Sequence, residues 1–260
     1  MLYKIKLQIM KKPIFTLYAI LMGYVCFAQN INSEVAFFTG MTSMQTDYGE
    51  RGHFGSSYAN VGFGFGGALY LSFDNRRVRW NDRERGLQEH IRIRLEISYM
   101  QTKLIHRGKY TQGTSLNTIK YNAMIGTSKI LNYGAQFEYN IFSLSSKQYV
   151  DPYLSIGYLA NSNSPQLKSS LGNIETDPSL TPPVYNDGIF LEKNSSNSLI
   201  LGIGTRLRPK SYYNKSIYLI DFRWQKFNSD VVEGLKPNLT ANKFNDWLLF
   251  LSVGYIFNFN

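Results

Sequence analysis

The chain has 260 residues, a formal net charge of +10, 15% aromatic residues and a mean hydropathy of −0.24. Four lysines and no acid lie in the first 28 residues, so the remainder carries 24 Lys and Arg against 18 Asp and Glu, a net charge of +6. In that remainder acids are interleaved with the basic residues. This pattern argues against the basic stripe that binds nucleic acid, and we expect no nucleic-acid partner.

Residues 1–28 have the pattern of a cleaved signal peptide. A lysine-rich start precedes an apolar stretch at 14–27, which is too short to span a bilayer as a helix. Cys26 and Ala28 put small residues three and one positions before the expected cut. The mature protein would then be a single domain over 29–260, without a cysteine.

Eight windows alternate apolar and polar side chains, as strands with one apolar face do. Each is about ten residues long, which suits a tilted strand that crosses a bilayer. In chain order they are 33–42, 60–73, 91–100, 130–141, 153–160, 199–208, 217–225 and 247–259. The third is the clearest, while the first is ambiguous in phase.

The connections between these windows alternate in length. Those at 142–152 and 209–216 are short, and those at 101–129, 161–198 and 226–246 are long and polar. Short turns at one end and long loops at the other are typical of outer-membrane barrels. We therefore predict an all-β fold, an eight-stranded antiparallel transmembrane β-barrel in contact with outer-membrane lipids. Ten strands would result if a long connection hides a hairpin.

The inward faces of the predicted strands carry a set of charges. Opposite charges in one narrow lumen can pair, so we expect a packed polar network, with an ion-selective channel as the alternative. The set is Arg92, Arg94, Glu96, Glu138, Arg206, Arg208, Asp221 and Arg223. Glycines at 62, 64 and 66 should make room for bulky neighbours in the same lumen.

Catalytic chemistry has little support in the sequence. The histidines, His53, His90 and His106, are scattered and are expected to be solvated in loops. No spacing shows a base, a nucleophile and an orienting acid together, so we expect no enzyme, no cofactor and no metal. A lipid-modifying barrel enzyme that uses His53 or His106 stays an alternative.

The connection at 74–90 is arginine-rich and unusually long for its end of the barrel. Acids lie among its arginines, so solvated self-pairing is one interpretation. The other is a contact site for a protein partner on the periplasmic side. In that case the chain would be an accessory subunit of an outer-membrane assembly or secretion complex.

The last strand resembles the C-terminal signal by which the outer-membrane barrel assembly machinery recognises its clients. Its residues are Ser252, Gly254, Phe257 and Phe259, although Asn260 follows where the usual signal stops. The segments 46–52, 72–80 and 242–247 resemble an uncharacterised family of Bacteroidota outer-membrane proteins, of the OmpA, OmpX and OmpW type. The resemblance implies export to the outer membrane of a Gram-negative bacterium and a structural or interaction role, with no catalytic residue.

Overall fold

In the computed structural model, eight antiparallel strands close into one barrel, each paired with its neighbour in sequence and the last with the first. The structure describes residues 32–49, 55–56, 60–73, 86–144, 148–174, 176–185, 188–209, 216–237 and 245–258. The strands are β1 Asn32–Gln45, β2 Val61–Ser72, β3 Ile91–Ile105, β4 Met124–Asn140, β5 Val150–Ser169, β6 Asn194–Leu207, β7 Ile217–Phe227 and β8 Trp247–Asn258. The predicted fold class is confirmed, and ten strands is wrong because these eight already close the barrel.

The two ends of the barrel differ. Asn32 and Asn258 lie at one end, called here the turn end, where 141–149 and 208–216 connect strands. The opposite, loop end carries the connections 46–60, 106–123, 170–193 and 228–246. The predicted signal peptide lies outside the described residues, as does most of the arginine-rich connection 74–90.

Strands β3 to β6 run farther toward the loop end than the sequence predicted. The fifth window, 153–160, is the middle of a strand that spans Val150–Ser169. Its outer part pairs with β4 from Asn132↔Asn161 to Met124↔Ser169. Residues 161–164 are polar on both faces, so apolar alternation gives no signal there. Backbone hydrogen bonds to the neighbouring strand hold this part in place.

Short helices occur in the connections. The helix α1, Leu116–Ala123, begins after Ser115, whose side chain accepts a hydrogen bond from the Thr118 amide at 3.2 Å. The described connections contain four 3₁₀ turns, at Gly86–Glu89, Lys109–Thr111, Pro178–Leu180 and Pro183–Tyr185. No helix in the described part of the chain is long and apolar enough to cross a membrane.

The barrel is apolar outside and polar inside. Large side chains on the outer wall are strongly exposed, among them Phe37 (60%), Met41 (68%) and Phe137 (60%). The lumen buries charged side chains, and Arg94, Arg206 and Asp221 are fully buried at 0% exposure. The phase of β1, which the sequence left open, places Phe38 inside and Phe37 outside.

Candidate functional site

The lumen holds a network of ion pairs whose centre is formed by β3 and β7. Arg94 lies 2.8 Å from Glu96 and 3.2 Å from Asp221. Arg223 contacts the same two acids, at 2.7 Å from Glu96 and 2.9 Å from Asp221. Two arginines and two acids therefore form a closed square of charge. Glu138, at 3.6 Å from Arg94, connects it to β4.

A second group lies nearer the turn end. Arg206 pairs with Glu138 and donates a hydrogen bond to the side-chain oxygen of Asn140. Asp151 lies 3.9 Å from Arg206 and 3.1 Å from Arg208. Arg208 follows the end of β6 and keeps 22% of its side chain exposed. The group thus runs from the buried centre to the edge of the lumen.

Two members of the network were missed in the sequence. Glu34 pairs with Arg92 at 2.6 Å, and Asp151 pairs with the arginines of β6. Glu34 belongs to the strand whose phase was ambiguous. Asp151 was assigned to the connection 142–152, but it lies in the first part of β5. Extending the alternation of Tyr153 and Ser155 backwards by one step would have found Asp151.

The structure places seven of the eight predicted lumen charges inside the barrel and Arg208 at its edge, and brings them together with these two acids. The described network then contains five arginines and five acids. They are Arg92, Arg94, Arg206, Arg208 and Arg223 with Glu34, Glu96, Glu138, Asp151 and Asp221. Because the formal charges cancel, the network can be buried without a net charge in a low-dielectric interior.

Aromatic rings fill the space between the charges. The Phe38 ring lies 4.9 Å from the Arg94 guanidinium and 5.1 Å from that of Arg223. Phe250 also lies 4.9 Å from Arg223, and its ring centroid is 6.2 Å from that of Phe38. These apolar inward residues of β1 and β8 pack against arginine faces, which is favourable in a desolvated site. They occupy the lumen at this level together with the charged side chains.

The inward glycines of β2 make room for these rings, as predicted. A Cβ on Gly64 would come within 2.9 Å of the Phe250 ring, and one on Gly66 within 2.7 Å of the Phe38 ring. Any larger residue at either position would therefore push an aromatic ring toward the arginines.

At the loop end a segment of the β7–β8 connection, residues 231–235, folds into the mouth of the barrel. The Ser128 hydroxyl donates to the Val232 carbonyl at 3.1 Å. Glu233 accepts a hydrogen bond from the Asp47 amide at 3.0 Å. Gly234 has a φ of +87°, and a Cβ there would meet Pro165 at 2.7 Å. We call these five residues the mouth segment. Its insertion closes the lumen at a second level.

The mouth segment buries an acid without a basic partner among the described residues. Glu233 is fully buried, and burial raises the pKa of its carboxyl well above the usual range. The nearby carboxylates of Asp246 and Asp47 raise it further. Asp246 in turn accepts from the Val232 amide at 3.2 Å. We therefore expect Glu233 to carry a proton in the folded state.

His106 was expected to be solvated, and this is wrong: it is 3% exposed. Its ring stacks on Tyr48 at 4.6 Å and lies 5.0 Å from the ring of Tyr121. The Gly49 amide donates to Nδ1 at 3.2 Å, and burial lowers the pKa of the imidazole to about 3. Loop aromatics that cover the mouth cause this burial, and nothing local in the sequence signals it.

The remaining predicted sites are only partly described. Nδ1 of His90 lies 2.7 Å from the Asn140 carbonyl, whereas His53 lies outside the described residues. Of the assembly residues, Ser252 faces the lumen and Phe257 the outside, and Phe259 is not described. Their role in assembly stays a prediction. The described residues contain no group of three or more His, Cys, Asp or Glu that could hold a metal.

Together these features define the class of protein. A small soluble barrel hides apolar residues inside, but this one exposes them on its outer wall and buries charges. A closed barrel leaves no strand edge unpaired, so it can lie in hydrocarbon with every ladder hydrogen bond made. The chain is an outer-membrane β-barrel, and from the usual arrangement of such barrels we expect the turn end to be periplasmic and the loop end external.

The similarity of this chain to known proteins is low. Neither the protein-family models nor the curated proteins contain a match to the chain. Three solved structures each align with 88% of the residues of this chain. Ail of Yersinia pestis, solved with the heparin analogue sucrose octasulfate, is 16% identical over 100% of its chain, with a TM-score of 0.37. A major outer membrane protein of Thermus thermophilus is 15% identical over 99% of its chain, with a TM-score of 0.46. The N-terminal barrel domain of Pseudomonas aeruginosa OprF is 13% identical over 98% of its chain, with a TM-score of 0.34.

Proposed function

We propose that this outer-membrane barrel is a non-conducting, non-enzymatic protein with a structural or interaction role, in which a filled lumen supports external loops. The observation that carries the proposal is the closure of the lumen at two levels. The charge-balanced network fills its middle, and the mouth segment covers its outer end. A conducting pore needs neither feature, and each costs conformational freedom or desolvation.

Planar-bilayer recordings test this proposal and the small-channel alternative. We expect no unitary current from the wild type. A variant in which residues 231–235 are replaced by a Gly-Ser linker should also stay silent, since the network remains in place. When Arg223→Ala is added to that linker variant, both the network and the mouth are weakened. A leak current should first appear in this combined variant. A steady conductance of the wild type would overturn the proposal and favour a channel.

A second candidate function is that of an accessory subunit of an outer-membrane assembly or secretion complex. It is favoured by the five arginines of the periplasmic connection 74–90, which lie among four acids. Purification in mild detergent, followed by mass spectrometry, would reveal a stoichiometric partner. A variant with all five arginines changed to Gln should lose that partner. Recovery of a solitary barrel would remove this candidate.

The non-enzymatic part of the proposal rests on the surroundings of His106. Its Nδ1 already accepts a backbone hydrogen bond, and its ring is enclosed by tyrosines. Lipid A from a deletion strain should have the wild-type mass spectrum. An altered spectrum, restored by the wild type and not by His53→Ala or His106→Ala, would show a lipid-modifying enzyme instead.

We also infer kinship with the Bacteroidota family, which the segments 46–52 and 72–80 support. Insertion by the barrel assembly machinery is a further inference, which the final strand supports.

A further inference from the structure

Charged residues of the eight strands are sorted by type and by face. Every arginine and every acid of the strands points into the lumen, with exposures of 5% or less. Every lysine of the strands points outward. The strand lysines are Lys103, Lys129, Lys168 and Lys226. The outer wall therefore carries positive charge and, along the strands, no negative charge to neutralise it.

Three of the four lysines lie near the loop end of their strands, and Lys129 lies five residues from the loop end of β4, opposite Gln101. Lys103 is two residues from the end of β3, and Lys168 and Lys226 are each one residue from the ends of β5 and β7. A tilted strand needs about 9–11 residues to cross the hydrocarbon. Counted from Ile91, that length ends near Gln101, so Lys103 lies just beyond it, at the level of lipid headgroups.

Aromatic residues mark the same boundary. Tyr99 lies one outward position below Gln101, and its hydroxyl donates to the Gln101 side chain at 3.2 Å. Trp247 pairs directly with Lys226. Tyr and Trp concentrate where hydrocarbon meets headgroups. The lysines thus begin where the apolar wall ends.

Three of the lysines are grouped on adjacent strands. Lys103 lies opposite Thr127, so Lys129 is its diagonal neighbour, at roughly 7–8 Å. Lys168 lies opposite Ile125 on the next strand. We call Lys103, Lys129 and Lys168 the outer lysine cluster. In the described part of the chain none of them has an ion-pair partner, whereas each lumen arginine has at least one.

We propose that the outer lysine cluster is a binding surface for the phosphate groups of an anionic glycolipid of the outer leaflet. The inference goes beyond the proposed function and holds whether or not the lumen conducts. Lysine is a compact cation on a flexible stem, which can lie along an apolar wall while its ammonium reaches the headgroup layer. Outward polar residues lie between the lysines and can donate hydrogen bonds to phosphate oxygens: Gln101, Thr127, Ser164 and Gln166.

Charge complementarity selects this occupant. A protein partner would ordinarily bring charges of both signs, and the cluster offers it no acid. A zwitterionic lipid would bring its own cation to a surface that has three. A phosphorylated glycolipid presents anions at the depth where the lysines end, and each lysine near an anionic membrane surface contributes about a factor of five in affinity.

Native mass spectrometry in detergent tests the proposal with diphosphoryl lipid A as the probe. The test variant is the triple change Lys103→Gln, Lys129→Gln and Lys168→Gln. Its matched control is Lys109→Gln, Lys193→Gln and Lys236→Gln, which removes the same charge from exposed lysines of the connections, outside the cluster. Heat-modifiability on gels verifies that each barrel is folded. Dephosphorylated lipid A and 10-fold excess inorganic phosphate are the two further arms.

We expect the cluster variant to lose about a hundredfold in affinity and the control variant less than threefold. Dephosphorylated lipid A should bind as weakly to the wild type as lipid A binds to the cluster variant. Excess inorganic phosphate should not displace the lipid, because its acyl chains hold it against the wall. Equal loss in both variants, equal binding of the dephosphorylated lipid, or displacement by free phosphate would each overturn the proposal.

Discussion

The lumen and the outer rim use positive charge in opposite ways. Inside, Arg94 and Arg223 share the same two acids and lie over aromatic faces, at 2% exposure or less. Outside, Lys103 and Lys226 are exposed and have no ion-pair partner among the described residues. Arginine offers a planar fork of donors and is weakly hydrated, so it suits a dry, crowded network. Lysine is strongly hydrated and flexible, so it suits a wet boundary.

The lumen arginines and the rim lysines are therefore stabilised by different surroundings. A lumen charge is stabilised by fixed partners within the protein, and its removal leaves those partners buried and uncompensated. A rim charge is stabilised by water or by a ligand, and its removal costs the fold little. Substitutions of matched chemistry in the two regions should therefore differ widely in their effect on folding.

The largest expected effect comes from breaking the lumen side of this comparison. Arg94→Ala would leave Glu96 and Asp221 facing each other with Arg223 alone to balance them. We expect the free energy of unfolding to fall by about 3–5 kcal/mol. Urea titrations of tryptophan fluorescence in lipid vesicles measure it. A loss below about 1 kcal/mol would show that water enters the lumen and solvates the acids.

His106 sharpens the comparison, since it is a buried base that stays uncharged in the folded state. Its pKa falls from 6.5 to about 3, so its contribution to stability is complete above about pH 6.5 and is lost as the pH falls toward 3. At pH 5 the loss is about 2 kcal/mol. The protection factor of the Gly49 amide, which donates to His106, should drop accordingly. His106→Phe should remove this pH dependence, and an unchanged dependence in that variant would contradict the assignment.

Glu233 is a buried acid whose substitution should change the free energy of unfolding less than the titration of His106 does. Its raised pKa means that stability is fully present below the usual pKa of a carboxyl and is lost as the pH rises through the raised value. Glu233→Gln copies the protonated form, so at pH 4, below the usual pKa of a carboxyl, the change should stay below about 1 kcal/mol. The variant should also lose the weakening at high pH, measured as protection of the Asp47 amide. The exposed Glu192→Gln is the control and should change neither property.

The sequence predicted the strand number and the faces of most strands because a barrel in lipid repeats one simple pattern. Side chains such as Ile93, Leu95 and Ile97 must be apolar outside while their neighbours are polar inside. This period-two signal also located Arg94 and Asp221. It does not reach the outer half of β5, where residues 161–164 are polar on both faces and the strand continues by pairing with β4.

Contacts between segments that lie far apart in the chain could not be predicted from the sequence. Val232 and Glu233 enter the mouth through hydrogen bonds to Ser128 and Asp47, which lie about a hundred or more positions earlier in the chain. No local pattern marks a loop that folds inward rather than outward. The buried state of His106 has the same origin, because Tyr48, Tyr121 and Tyr185 approach it from three separate connections.

The smallest expected effect is at Lys226, on the rim side of the comparison. It is exposed, lies beside Trp247 and stands apart from the outer lysine cluster. Lys226→Gln should change the free energy of unfolding by no more than about 0.5 kcal/mol in the same urea titration. A loss near that of Arg94→Ala would mean that Lys226 has a partner within the fold. The contrast between paired lumen charges and unpaired rim charges would then fail, since a lysine held by a fixed partner is not available to an anionic lipid.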